Sequence, residues 1–124
     1  MKKIQLLLLL VVGFSIASRS QVTRKGGLET ATIKTPTVQC EACKKRIENY
    51  VSREEGVQKV VVDYKKKITK VTYIVDRTSV ENVKAAIANI GYDADNVAAE
   101  PDAYKRLPTC CKKTEDGGGP EKKN

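Results

Sequence analysis

The chain has 124 residues, a formal net charge of +8, four cysteines, and neither histidine nor tryptophan. That length allows one small domain with an appended segment, and its limited core leaves no room for a second domain. Without histidine, any tightly held soft metal must rely chiefly on thiolates. The lysines are interleaved with acids rather than set among stacking aromatics, which argues against nucleic acid as a partner and favours an acidic protein surface or an anionic membrane face.

The chain starts with Lys2 and Lys3, an apolar run from Leu6 to Ala17, and the small polar group Ser18-Arg19-Ser20 before Gln21. This is the pattern of a secretory signal peptide over residues 1–20, too short for a comfortable membrane span. No cysteine follows it that could carry a lipid anchor. Cleavage there would take away three basic residues and no acid, leaving an exported chain of about 104 residues, charge +5, with no stable membrane insertion. Residues 21–27, with Arg24-Lys25-Gly26-Gly27, read as a flexible leader.

Ala31, Ile33 and Thr35 alternate with Thr30, Thr32 and Lys34, the period of a half-buried strand that Pro36 ends. Cys40-Glu41-Ala42-Cys43 follows, and from the second cysteine Cys43, Ile47, Tyr50 and Val51 share one helical face until Gly56. Val60, Val62 and Tyr64, then Val71, Tyr73 and Val75, predict two strands joined by the basic turn Lys65-Lys66-Lys67. Thr78 with Glu81 forms a capping-box signature for a helix carrying Val80, Val83, Ile87 and Ile90 up to Gly91. Asp95 to Ala99, anchored by Val97, predicts a last strand. Strand, helix, strand, strand, helix, strand over residues 28–100 is the α+β, ferredoxin-like βαββαβ order, a four-stranded antiparallel sheet with two helices on one face. Residues 101–124 carry Cys110-Cys111 and end in glycines and lysines with little to bury, so a largely disordered tail is expected.

Two thiols three residues apart at a strand-to-helix turn make a soft-metal site or a redox couple, and a helix start favours the thiolate. Two sulfurs suit the near-linear preference of Cu(I) or Hg(II), whereas structural Zn(II) wants four ligands. Counting Cys110 and Cys111 brings the sulfurs to four and keeps Zn(II), Cd(II) or three-coordinate Cu(I) open. A local disulfide between Cys40 and Cys43 is the plain structural alternative in an oxidising compartment, and Cys110 and Cys111 could equally be incidental thiols or pair with another chain.

Three stretches of this chain together resemble the heavy-metal-associated domain found in copper chaperones, copper-transporting ATPases and the periplasmic mercuric-ion-binding protein. They are Thr35-Pro36-Thr37-Val38-Gln39-Cys40-Glu41-Ala42-Cys43, Gly56-Val57-Gln58-Lys59-Val60, and Ile90-Gly91-Tyr92-Asp93-Ala94. The resemblance implies that Cys40 and Cys43 are the metal ligands. It also implies that Val38, at the family's usual methionine position, tucks under the loop, and that Tyr92 faces the cysteines. Thr37 stands where the family has glycine, and Gln39 where it has threonine.

The expected function is exported capture and transfer of a soft metal ion, Cu(I) first, without turnover chemistry. Mercury capture in a resistance system is the alternative. A thiol–disulfide oxidoreductase or a metal-responsive interaction module are further rivals, the former weakened by Glu41-Ala42 between the cysteines and the lack of a nearby tryptophan. Lys44, Lys45 and Arg46 would steer an acidic-surfaced metal-transport partner, or merely form the wet face of a helix. A metal bridge between two such loops could form a dimer. By the family topology the last strand ends away from the metal loop. The ~11 residues after Ala99 can extend to roughly 36 Å, enough for the tail cysteines to return.

Overall fold

The computed structural model describes residues 27–120, so the signal-peptide reading and nearly all of the leader lie outside the described residues. Strand β1 (Leu28–Lys34) leads to helix α1 (Glu41–Val51), the hairpin β2 (Val57–Asp63) and β3 (Ile68–Ile74), and helix α2 (Val80–Asn89). The sheet is antiparallel, in the order β1-β3-β2. Alternation along β3 turns Thr69, Val71 and Tyr73 into the core, while Lys70 stays exposed on the other face. The two helices cover the buried face through Ile47, Val51, Val83 and Ile87, which join Ile33, Val62 and Val71 in one apolar cluster. No helix among the described residues is long and apolar enough to cross a membrane.

Several local expectations shift. Helix α1 begins at Glu41, not Cys43, with Cys40 as its N-cap in extended conformation. Of its four predicted core residues, Cys43, Ile47 and Val51 are buried, but Tyr50 lies at the edge of that face and is 43% exposed. The cap of α2 is Ser79, whose hydroxyl accepts from the Asn82 amide at 3.3 Å, one residue later than the Thr78 capping box implies. Ser79 takes this role because its extended backbone aims the short hydroxyl at an unpaired helix N–H.

The fourth strand does not form among the described residues. Ala94 and Val97 exchange backbone hydrogen bonds, both 2.9 Å, so Asp95-Asn96 makes a tight reversal, with Asp95 in the left-handed region at φ 50°. Asp95 alone completes the edge of β1. Its amide donates to the Lys34 carbonyl at 2.8 Å, and its carboxylate accepts from the Lys34 amide at 2.7 Å. Aspartate tolerates the left-handed conformation and bonds nearby backbone, so a turn outcompetes a ladder resting mainly on Val97.

The expected disordered tail is instead folded over residues 101–119. Helix α3 (Pro101–Lys105) is followed by 3₁₀ turns at Thr109–Cys111 and Thr114–Asp116. The cause was present in the sequence. Glu100 caps α3 by accepting from the Asp102 and Ala103 amides, Pro101 sits in the first turn where its missing N–H costs nothing, and Ala103 and Leu107 are apolar anchors.

Under the sheet's β1 end, the Thr35 and Thr69 hydroxyls are both fully buried and pair at 3.0 Å. Thr69→Val should therefore cost about 1–3 kcal/mol, because the Thr35 hydroxyl loses its buried partner, whereas the Thr35→Val/Thr69→Val double variant should recover much of that loss. Urea midpoints of the three chains check this.

Candidate metal centre

Cys40 and Cys43 stand at the start of α1 because the chain leaves β1 through Pro36 and a turn closed by the Val38 amide on the Thr35 carbonyl at 3.2 Å. Their sulfurs are 3.3 Å apart, with Cys40 half-buried and Cys43 fully buried. Burial alone would raise the Cys40 thiol. The opposing hydrogen bonds of the Cys43 backbone and side chain and the Ala42 amide win, and hold its pKa below the usual cysteine value. This is the expected effect of open helix N–H groups on a capping thiolate.

The loop's supports come from three directions. Val38 is fully buried, and its carbonyl accepts from Lys67 Nζ at 2.6 Å. Thr37 Oγ1 accepts from the Asp93 amide at 3.3 Å, tying this loop to the one after α2. Tyr92, on that second loop, is fully buried, and its hydroxyl has no hydrogen-bond partner in good geometry. Burial first, then the neighbouring Cys111 and Cys43 thiols, push its ionisation well above the usual phenol range.

The tail meets this loop as well. Cys43 Sγ lies 2.7 Å from Cys111 Sγ, the Cys40 thiol contacts the Cys110 carbonyl oxygen at 3.7 Å, and the Cys110 and Cys111 sulfurs are 3.9 Å apart. Burial is the first cause that raises the Cys110 and Cys111 thiols. For Cys110 the hydrogen bond with Cys111 offsets part of it, and for Cys111 the Cys43 thiol adds to it. Gln39 Nε2 donates to the Lys112 carbonyl at 2.6 Å, a tether that sequence reading missed because its partner lies 73 residues away. The signal that could have found the approach is the Glu100-Pro101 helix start, which turns the chain back toward α2.

The three basic residues differ in their surroundings. Lys44 is held internally, 2.6 Å from Glu48 Oε1 and 3.1 Å from the Val62 carbonyl, and Glu48 raises its pKa despite partial burial. Lys45 and Arg46 are exposed on the outer side of α1.

The heavy-metal-associated domain model matches residues 32–93. The mercuric transport protein periplasmic component of Shewanella putrefaciens is 31% identical over 64 residues, covering 52% of this chain and 70% of that protein. A copper-exporting P-type ATPase of Staphylococcus saprophyticus is 33% identical over 81 residues, which span 64% of this chain but only 10% of the ATPase. Among solved structures, oxidized MerP from Ralstonia metallidurans superposes with a TM-score of 0.53 at 32% identity, over 56% of this chain and 96% of that one. A matched family model, the α+β fold and a paired-cysteine loop at the start of α1 establish that this chain belongs to the heavy-metal-associated domain family.

Proposed function

We propose that the protein captures a soft metal ion through Cys40 and Cys43 outside the cytoplasm and passes it to a partner by thiolate exchange, with Cu(I) as the first cargo. The observation that carries this reading is the pair of sulfurs 3.3 Å apart at a helix N-terminus, in a chain without histidine. Each thiol gives its proton to solvent and a lone pair to the ion. A partner thiolate then adds to the ion, a shared three-sulfur intermediate forms and one original sulfur leaves; a second partner thiolate displaces the other, and each released sulfur takes a proton back from solvent. Apart from the S–H bonds lost and regained, no covalent bond within either protein is made or broken, and no turnover chemistry is needed. Lys45 and Arg46, exposed one turn from the cysteines, would attract an acidic-surfaced acceptor such as a metal-transporting ATPase domain, an effect that salt should weaken.

A second cargo, Hg(II), is supported by the 31% identity to a mercuric transport protein's periplasmic component, of which this chain covers 70%. The periplasmic location that this relative's name gives it also supports the exported reading of residues 1–20.

Anaerobic competition titration of the reduced chain with Cu(I), Hg(II) and Zn(II), repeated for Cys40→Ser, tests the function. Tight one-to-one Cu(I) binding lost in the variant is expected. Tight Hg(II) with weak Cu(I) binding would reassign the cargo, and full affinity in Cys40→Ser would remove the reading altogether.

A further inference from the structure

We propose that Cys110 and Cys111 complete a four-thiol metal site with Cys40 and Cys43, so that the ion is held by three or four sulfurs beneath a strap formed by residues 101–119. This rests on the metal-capture reading of Cys40 and Cys43 and deepens it.

The sulfurs converge. Those of Cys40, Cys110 and Cys111 all lie within 4.8 Å of one another, and Cys43 Sγ stands 3.3 Å from Cys40 Sγ and 2.7 Å from Cys111 Sγ. A tetrahedral ion with metal–sulfur bonds of about 2.3 Å needs its sulfurs about 3.8 Å apart. The observed separations lie on both sides of that value, so closing the site requires the sulfurs to shift, with Cys43 joining the group formed by Cys40, Cys110 and Cys111. A two-coordinate ion would leave Cys110 and Cys111 beside it as unused donors, whereas four-coordinate Zn(II) or Cd(II) uses both and three-coordinate Cu(I) uses one of them.

Two further features point to bound thiolates. The Tyr92 hydroxyl is fully buried against Cys43 and Cys111 and has no partner in good geometry. When those sulfurs surrender their protons to solvent and coordinate an ion, they become acceptors for its O–H, and the orphaned donor is satisfied. The strap is also built rather than draped. Leu107 is buried in the core, Gln39 Nε2 holds the Lys112 carbonyl at 2.6 Å, and the Lys113 amide donates to the Tyr104 hydroxyl at 2.9 Å. Lys113 Nζ, 3.9 Å from Asp93 Oδ2, ties the strap to the loop that carries Tyr92.

The test uses the full reduced chain with Co(II) and Cd(II) as probes, comparing wild type with Cys110→Ser, the Cys110→Ser/Cys111→Ser double variant and Cys40→Ser. Wild type is expected to give sulfur-to-metal charge-transfer intensity for three or four thiolates, falling to that of two in the double variant. Cd(II) affinity should fall in the double variant by more than the ~10–100-fold that loss of an outer-shell group costs. Cys111 is buried, so the double variant could misfold. Cys110 is half-exposed, and Cys110→Ser, with an unchanged circular dichroism spectrum, should still lose one sulfur's share of the intensity. Wild-type intensity equal to two thiolates, or unchanged intensity and affinity in folded variants lacking Cys110, would overturn the strap site. If the folded Cys110 variants are unchanged while Cys40→Ser abolishes tight binding, only the strap inference falls. If Cys40→Ser also binds fully, the capture reading falls with it.

Discussion

Gly91→Val is expected to destabilise the chain by about 2–5 kcal/mol and to lift α3 from its seat beside the end of α2. Gly91 has φ +101°, a region that a β-branched residue adopts only under strain. It also lies under the backbone of α3. A Cβ added there would sit 3.0 Å from the Ala103 carbonyl carbon and from the Tyr104 N and Cα atoms. Backbone atoms cannot swing aside as a flexible side chain can, so the valine must displace the helix. Tyr92 follows directly and Leu107 lies just beyond α3, so the displacement should loosen the strap more than the sheet. Urea unfolding should show the lower midpoint. Amide exchange should show protection lost first over residues 101–119, and equal loss across β1 to β3 would mean that the strap is not separately seated.

Ile47→Ala should cost about 2–5 kcal/mol, the range for emptying a fully buried aliphatic site. Ile47 lies on α1 one turn beyond Cys43 and one turn before Val51, and these three residues form the helix's buried face. They pack in the same cluster as Val62 and Val71 of the sheet and Ile87 of α2, a set held on two sides by regular structure that collapses poorly into a void. With total stabilities of small domains at about 5–15 kcal/mol, the loss takes a large share. It should lower the melting temperature by roughly 10 °C or more. Thermal unfolding followed by circular dichroism reads it, and a shift of only a degree or two would show that α1 is not anchored there. The same variant should bind metal with an affinity closer to wild type than Cys40→Ser, because every sulfur is retained.

Short-range patterns carried most of the fold. The alternation in Ala31, Ile33 and Thr35 marks β1, the spacing of Cys43, Ile47 and Val51 marks the inner face of α1, and the spacing of Val83 and Ile87 marks that of α2. Each follows from a period of two or 3.6 residues meeting one apolar layer, which is a property of the local chain. The spacing of Cys40 and Cys43 was likewise legible, because residues three apart at a helix start are neighbours whatever the rest of the chain does. The fourth strand was misjudged because turn chemistry at Asp95-Asn96 competes with a weak apolar pattern, and the hydrogen bonds to Lys34 that tip the balance join residues 61 positions apart.

The sequence by itself thus determined the βαββα order, the sulfur pair and the family's loop, all of which depend on neighbours in the chain. Only the tertiary structure decided that the tail folds back, that Cys111 stands 2.7 Å from Cys43, and that Gln39 and Asp93 hold the strap through Lys112 and Lys113. Those contacts close loops of dozens of residues. Their stability depends on shape-matched burial of Ala103 and Leu107 against Gly91 and the core, which no local period encodes.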